Sequence, residues 1–473
     1  MPIYEKLMGN PFVDAGVCGI CEWLERRPQP EEITTTDLEV MVEEFIPMAA
    51  KWEKWGSIFT LNHSLTNPSK KKDERLAHFR GMLLDYIHNV KELDQIGDCM
   101  GCGRRDVGST PLLDKTGVPL TGGKNSNFFP VFSEGAGYCP ACSFSIQFLP
   151  FSLVATGKNG GRFLMLHSKS WELMRIWTIR CIQGIKQQYS QQQSGECFKP
   201  DYENSRNGLF YMVREMIIEC EEMQLYDEIT DKDVSMEVYS FTNNNQFPDI
   251  EIFYIPSSVF QFLSAAEQNP YKDAWYEIVQ IGYGRGKSKK DYKKSRNLVY
   301  EYLLEDRSIR GFFLSRRTQK HRGNWELFSL YLQKVRNMKP TRIEKIKQVG
   351  DLIAESIRKS EKRGLNRLQD LENATTYFDC RSVLLRIIRD RIVQKEPEPL
   401  FSFDDCVEHI FISADNAQSW SDELDDSELD EEEKEQLRHS INDNVRFWRE
   451  TRDLLLFRIY EQLHSWLTEQ EDN

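Results

Sequence analysis

Four cysteines stand in two pairs, Cys99-Met100-Gly101-Cys102 and Cys139-Pro140-Ala141-Cys142, separated by 36 residues. Two thiols three positions apart in a tight turn reach one cation from the same side, and a second such pair completes a tetrahedron of soft sulfur ligands. Glycine inside the first pair and proline inside the second suit those turns. The ion this donor set takes is Zn2+. Four thiolates fill its shell and leave no position for a reactive water, so Cys99, Cys102, Cys139 and Cys142 are expected to be structural ligands and not a catalytic centre. Four buried core cysteines are the alternative. A third pair, Cys18-Gly19-Ile20-Cys21, lies in the apolar run from Phe12 to Leu24 with no second pair nearby, and is expected to be core packing. Cys181, Cys197, Cys220, Cys380 and Cys406 are isolated, and are expected to be buried or inert.

Catalytic patterns are sparse. No phosphate-cradling Gly-rich Walker loop, no GxSxG elbow and no paired metal carboxylates at recognisable spacing occur. His78, Asp85 and His88 share one helix and suggest a metal-dependent nuclease, but ordinary surface or core residues explain them better. The chain is therefore expected not to be an enzyme.

Charge is segregated along the chain. The formal net charge is −13 overall, yet residues 281–350 hold 19 Lys and Arg against 6 acids, whereas residues 401–473 hold 6 against 21. The basic block contains Lys287, Lys289, Lys290, Lys293, Lys294, Arg296, Arg307, Arg310, Arg316, Arg317, Lys320 and Arg322, with Tyr292, Phe312, Phe313 and Trp325 interleaved. Cations at this density can neutralise successive phosphates, and the aromatics can stack on unpaired bases. A solvated helix face is the competing explanation. The loop Thr121–Asn127 offers Lys124, Asn125 and Asn127 on flexible glycines as further donors to a groove edge, or forms a plain surface turn. The acidic end is expected to contact protein instead of DNA.

These groups need a scaffold. Thr36-Asp37-Leu38-Glu39 reads as a capping box opening one helix, and Leu76 to Leu93 repeats apolar residues every three or four positions until Gly97. From Gly97 to Gly161 the composition turns to Gly, Ser, Asn and Pro, with Phe128–Phe132 and Phe144–Phe151 as short strands. Ser168–Gln187 is helical, and Val238–Phe241 and Glu251–Ile255 are strand candidates. Beyond Pro340 the pattern is helical: Ile343 to Ile357, Tyr377 to Val393, a short helix near Asp404–Ile412, and a long stripe from Leu437 to Trp466. The fold class expected is α+β: a mixed amino-terminal domain (1–280) carrying a four-cysteine zinc ribbon at about 97–145, a basic connecting segment (281–339), and an all-α carboxyl-terminal helical bundle (340–473).

Hydrophobic content of 40% and aromatic content of 12% support packed domains. No secretory signal pattern and no run of about 20 apolar residues is present, and the odd count of 11 cysteines argues against a disulfide framework. A reducing, cytoplasmic location with no membrane partner is expected.

With the two pairs placed, the chain resembles the CRISPR-associated CXXC-CXXC family, the large subunit of the type I-B Cascade surveillance complex. The features that carry the resemblance are the opening Gly9-Asn10-Pro11-Phe12-Val13-Asp14-Ala15-Gly16, the two cysteine pairs and the helical carboxyl-terminal region. It implies a non-catalytic subunit that recognises the protospacer-adjacent motif (PAM) on target duplex DNA, aids R-loop formation and presents a surface for effector recruitment. The partners implied are crRNA, target DNA, backbone and small subunits, and a helicase-nuclease or transposition effector. Members of the family can also make the tail separately from an internal start, and Met338, the last methionine, stands where such a product would begin. A stand-alone zinc-ribbon DNA-binding regulator and a metal-dependent nuclease are the competing classes.

Overall fold

A computed structural model describes residues 2–25, 29–52, 55–60, 62–90, 98–104, 112–113, 116–121, 135–191, 197–223, 235–243, 248–284, 289–315, 320–402, 405 and 431–471. They form two compact units. The first comprises residues 1–264 and 283–305; the second comprises 265–282 and 306–473. The segment 281–339 is thus shared between the units.

The first unit begins with α1 (Pro11–Trp23), whose run Val13 to Cys21 is buried throughout. Asn10 caps it by accepting from the Phe12 and Val13 amides, and Pro11 occupies the first turn, where a missing N–H costs nothing. Each large apolar side chain buried there, such as Val17 or Ile20, contributes about 2 kcal/mol. Cys18 and Cys21 are both buried, as expected of core packing, and desolvation pushes both thiols up, which leaves them unreactive. The helix can lie this deep because two of its glycines meet backbone. A Cβ on Gly16 would stand 2.1 Å from the Ser145 carbonyl oxygen, and one on Gly19 would stand 2.9 Å from that of Phe148.

Around it stand α2 (Thr35–Ala49), α3 (Trp55–Phe59), α4 (Lys72–Asn89), the short strands β1 (Leu112–Leu113) and β2 (Ala136–Gly137), and α5 (Pro140–Ile146). The capping box of α2 is built on Thr34 and Asp37, two residues earlier than the sequence reading placed it. The apolar stretch Phe144–Phe151, expected as a strand, instead completes α5 and a following 3-10 turn. Its helical start is set locally: Cys139 occupies the N-cap and Pro140 the first helical position.

A four-stranded antiparallel sheet follows, in the spatial order β3 (Leu153–Thr156), β4 (Arg162–Ser168), β5 (Met236–Thr242) and β6 (Asp249–Ile255). Between β4 and β5 the chain runs through α6 (Trp171–Ser190) and α7 (Ser205–Glu222). The indole of Trp177 on α6 donates to the Ser152 carbonyl, and the Ser152 hydroxyl donates to the Ala15 carbonyl, tying helix, sheet start and α1 together. After α8 (Ser257–Ala266) and α9 (Lys272–Gly282), the chain returns to the first unit through α10 (Lys289–Tyr292) and α11 (Leu298–Leu304), where Tyr300 stacks on Phe210 of α7 at 4.0 Å.

Among its described residues the second unit is helical apart from one two-stranded ladder: with α9 it holds α12 (Arg310–Phe313), β7 (Leu314–Ser315), β8 (Lys320–His321), α13 (Trp325–Lys334), α14 (Pro340–Asn373), α15 (Tyr377–Val393) and α16 (Glu431–Glu471). Phe457 of α16 is surrounded by Phe313, Trp325 and Phe328. Helix α14 is kinked at Glu361, whose φ is 44°. The expected elements Phe128–Phe132 and most of Asp404–Ile412 lie outside the described residues. No helix among the described residues is long and apolar enough to cross a membrane.

Candidate metal centre

The two cysteine pairs converge. The sulfurs of Cys99, Cys102, Cys139 and Cys142 all lie within 4.8 Å of one another, and the Cys102 and Cys139 sulfurs are 3.9 Å apart. At a metal–sulfur distance of about 2.3 Å, tetrahedral ligands are separated by about 3.8 Å, so the donors present fit one tetrahedral cation.

Backbone amides prepare the sulfurs for negative charge. Gly101 and Cys139 donate to the Cys99 sulfur at 3.3 and 3.1 Å, and the Cys142 amide approaches the Cys139 sulfur at 3.5 Å. Such N–H donors stabilise thiolate over thiol. The first turn is shaped by two glycines. A Cβ on Gly101 would lie 2.9 Å from the Cys142 sulfur and from the Tyr138 ring, while Gly103 takes φ +68° and returns its amide to the Cys99 carbonyl at 2.8 Å. Met100 donates to the Gly137 carbonyl at 2.8 Å, which pins this turn to β2 next to the second pair.

The thiols are strongly coupled. Hydrogen bonds, first from Cys102 and then from Cys139 and Cys142, hold Cys99 far below the ordinary thiol range, and those led by Cys139 bring Cys102 down to about 7. The same contacts, led by Cys102, push Cys139 and Cys142 up. Four clustered sulfurs cannot all carry charge on their own, and a bound cation is what would let them. Among the described residues, these are the His, Cys, Asp and Glu side chains that gather three or more ligand atoms. His78 and Asp85 line a cavity of about 420 Å3 with Tyr86 and Pro140, but they bring no such group together.

The chain has a match at this site. Residues 92–154 match the protein-family model described as CRISPR-associated protein (Cas_CXXC_CXXC). The match contains both cysteine pairs, β2, α5 and the start of β3. No curated protein and no solved structure matches the chain. The opening Gly9–Gly16 lies outside the matched stretch, and its residues have packing and capping duties. Asn10 caps α1, Gly16 meets Ser145, and buried Asp14 accepts from the Met8 amide at 2.5 Å and meets His167 Nε2 at 3.1 Å.

Two supports of the centre escaped the sequence reading. Tyr4, fully buried, donates its hydroxyl to the Ala141 carbonyl inside the second pair at 3.0 Å. His63 links three segments: its Nδ1 accepts from the Trp55 indole at 3.0 Å, and its Nε2 meets Gln147 Oε1 at 2.9 Å. The side-chain Nε2 of Gln147, the C-cap of α5, in turn donates to the Gly117 carbonyl at 3.3 Å. Since Nδ1 accepts, the proton sits on Nε2. Burial holds the His63 imidazole down to about 4.

The basic block is divided and partnered. In the first unit Lys293 meets Asp201, Lys294 meets Glu203 at 3.3 Å, and Arg296 grips Glu301 with two bonds of 2.8 and 2.5 Å. In the second, Arg310 meets Glu450 at 3.3 Å and Asp453 at 3.6 Å, and Arg307 lies in the exposed turn before α12. Lys289 and Lys290 begin α10. Lys124, Asn125, Asn127, Lys287, Arg316 and Arg317 lie outside the described residues. The two lysine pairs are exposed and cheap to exchange for a phosphate, whereas Glu301 is buried and holds Arg296 in place.

Proposed function

We propose that this chain is the large subunit of a type I-B CRISPR Cascade, a non-catalytic protein that recognises the PAM on target duplex DNA. In the same reading it aids R-loop formation and presents a surface for effector recruitment. The observation that carries the reading is the coincidence of the four-sulfur cluster with the stretch that matches a CRISPR-associated family. The ion is Zn2+ and its role is structural, because four thiolates complete the tetrahedron and leave no site for a hydrolytic water.

In this reading the first unit engages the duplex while crRNA pairing supplies sequence specificity. Lys293 and Lys294, exposed and weakly paired, are the side chains of the block best suited to trade a carboxylate for a phosphate. The partners are crRNA, target DNA, backbone and small subunits, and a helicase-nuclease or transposition effector, all in the cytoplasm.

Co-expression with a crRNA-bound backbone tests this. The chain is expected to co-purify and to be required for binding of motif-bearing duplex, with Lys293→Gln/Lys294→Gln weakening that binding and flattening its salt dependence by about one phosphate contact per lysine. A chain that binds duplex as tightly without crRNA as with it would instead be a stand-alone zinc-ribbon regulator. Metal-dependent cleavage of DNA by the chain alone, lost on His78→Ala, would make it a nuclease.

A further inference from the structure

A second site lies in the first unit, away from the cysteines. A cavity of about 650 Å3 is bounded by the ends of α2 and α3, the first turns of α4, Gly161 just before β4, and Thr242 of β5. That volume suits a ligand of nucleotide size. Its polar wall includes Trp52, Ser57, Thr60, Thr66, Lys72 and Arg75, and no carboxylate lines it among the described residues.

Three observations give the wall a sign. Lys72 and Arg75, with Leu76, share one face of α4 at i, i+3 and i+4 spacing, so both cations turn to the cavity while the neighbouring Asp73 and Glu74 are not part of its lining. Unlike Lys293, Lys294 and Arg296, neither Lys72 nor Arg75 is paired with a carboxylate among the described residues. Next, the Trp52 indole nitrogen, the Arg75 Nε and the Thr60 hydroxyl are all buried without a hydrogen-bond partner. Buried donors left so are uncommon, and three of them on residues that line one cavity leave that wall short of acceptors among the described residues. Finally, Thr60 holds φ +68°, a conformation a β-branched residue adopts only under constraint, and its carbonyl is fixed by the Thr66 hydroxyl at 2.9 Å.

We propose that this cavity is a phosphate-binding site that takes a phosphate-bearing ligand of nucleotide size, with Arg75 and Lys72 holding the anion and Trp52 and Thr60 supplying neutral donors. The site requires neither DNA nor the cysteine cluster, so it stands or falls separately from the reading above.

Isothermal titration of the full chain with AMP, inorganic phosphate and adenosine tests it. AMP is expected to bind and adenosine not to. Arg75→Gln should weaken AMP at least about tenfold, and Lys72→Gln should weaken it severalfold, with thermal melting unchanged. Should Arg75→Gln fail to fold, Lys72→Gln carries the test, since that side chain is exposed; Trp52→Phe keeps the ring and removes one donor. AMP binding tighter than phosphate would identify a nucleotide, and equal binding a free anion; both support the site. Adenosine binding as tightly as AMP, no binding of AMP or phosphate, or unchanged affinity in the folded Arg75 and Lys72 variants would overturn it.

Discussion

The two units solve the problem of positioning in different ways. In the first, distant segments are joined by buried polar bonds: Tyr4 on Ala141 inside the second cysteine pair, His63 on Gln147 at the end of α5, and Ser152 on Ala15 of α1. In the second, helices meet through apolar stripes and are trimmed by ion pairs, such as Arg458 with Asp351 at 2.6 Å and Arg367 with Asp390 at 2.9 Å. Apolar packing degrades gradually when one group is lost. A set of buried polar bonds does not, because each orphaned donor or acceptor then carries its own desolvation cost.

Removing the cation proposed for the four sulfurs is the largest way to break the contrast. Binding to four thiolates is worth on the order of 10 kcal/mol, comparable with the whole stability of a domain. Cys142→Ser, or exhaustive chelation, is expected to open the first unit to proteolysis and amide exchange around Cys99–Ile146 while α14 and α16 of the second stay protected. Equal loss of protection in both units would erase the distinction.

A pair of glycines sharpens it at smaller scale. The Cβ of Gly16→Ala would meet the Ser145 backbone, which cannot move without shifting α5 and Cys142; several kcal/mol of overpacking is expected. In Gly350→Ala the contact is longer, 2.9 Å, and is with Cβ and Cγ of Arg458; that Cβ moves only with the backbone of α16, so a smaller but real cost of about 1–2 kcal/mol is expected. Chemical denaturation of the two variants measures the difference, and a costlier Gly350→Ala would contradict it.

The cysteine pairs were legible because ligand spacing is local, and the amphipathic helix Tyr377–Val393 was legible because its period is local too. What stayed hidden was non-local. Nothing in Tyr4 announces a bond to a residue 137 positions away, and nothing in Lys293 reveals Asp201 opposite it. Strand β3 went unnoticed for another reason: all four of its residues are buried, so the in–out alternation that marks a strand is missing. The position of Met338 is a related case. Sequence makes it a natural start for a helical tail, yet a product beginning there would lack Phe313, Trp325 and Phe328, the rings that cover Phe457.

Acid gives the gentlest separation of the units. His63 is buried neutral, with its imidazole held down to about 4 while an unfolded histidine titrates near 6.5, chiefly because burial penalises the charged ring. Its folded pKa is the lower one, so between those values the unfolded chain binds more protons than the native state. The stabilisation is therefore complete above about pH 6.5 and drains as pH falls towards 4, by roughly 3 kcal/mol in all. In the second unit, burial and His464 also lower His321, but that ring is only partly buried and its limb should be shallower. Cysteine protonation adds to the acid sensitivity of the first unit, so the contribution of His63 is read as a difference between proteins. His63→Gln retains a donor and an acceptor and removes the titration; its stability relative to the parent is expected to improve steadily from about pH 6.5 down to about 4.5. A parallel pair of pH–stability curves would assign the acid limb to the cysteines alone.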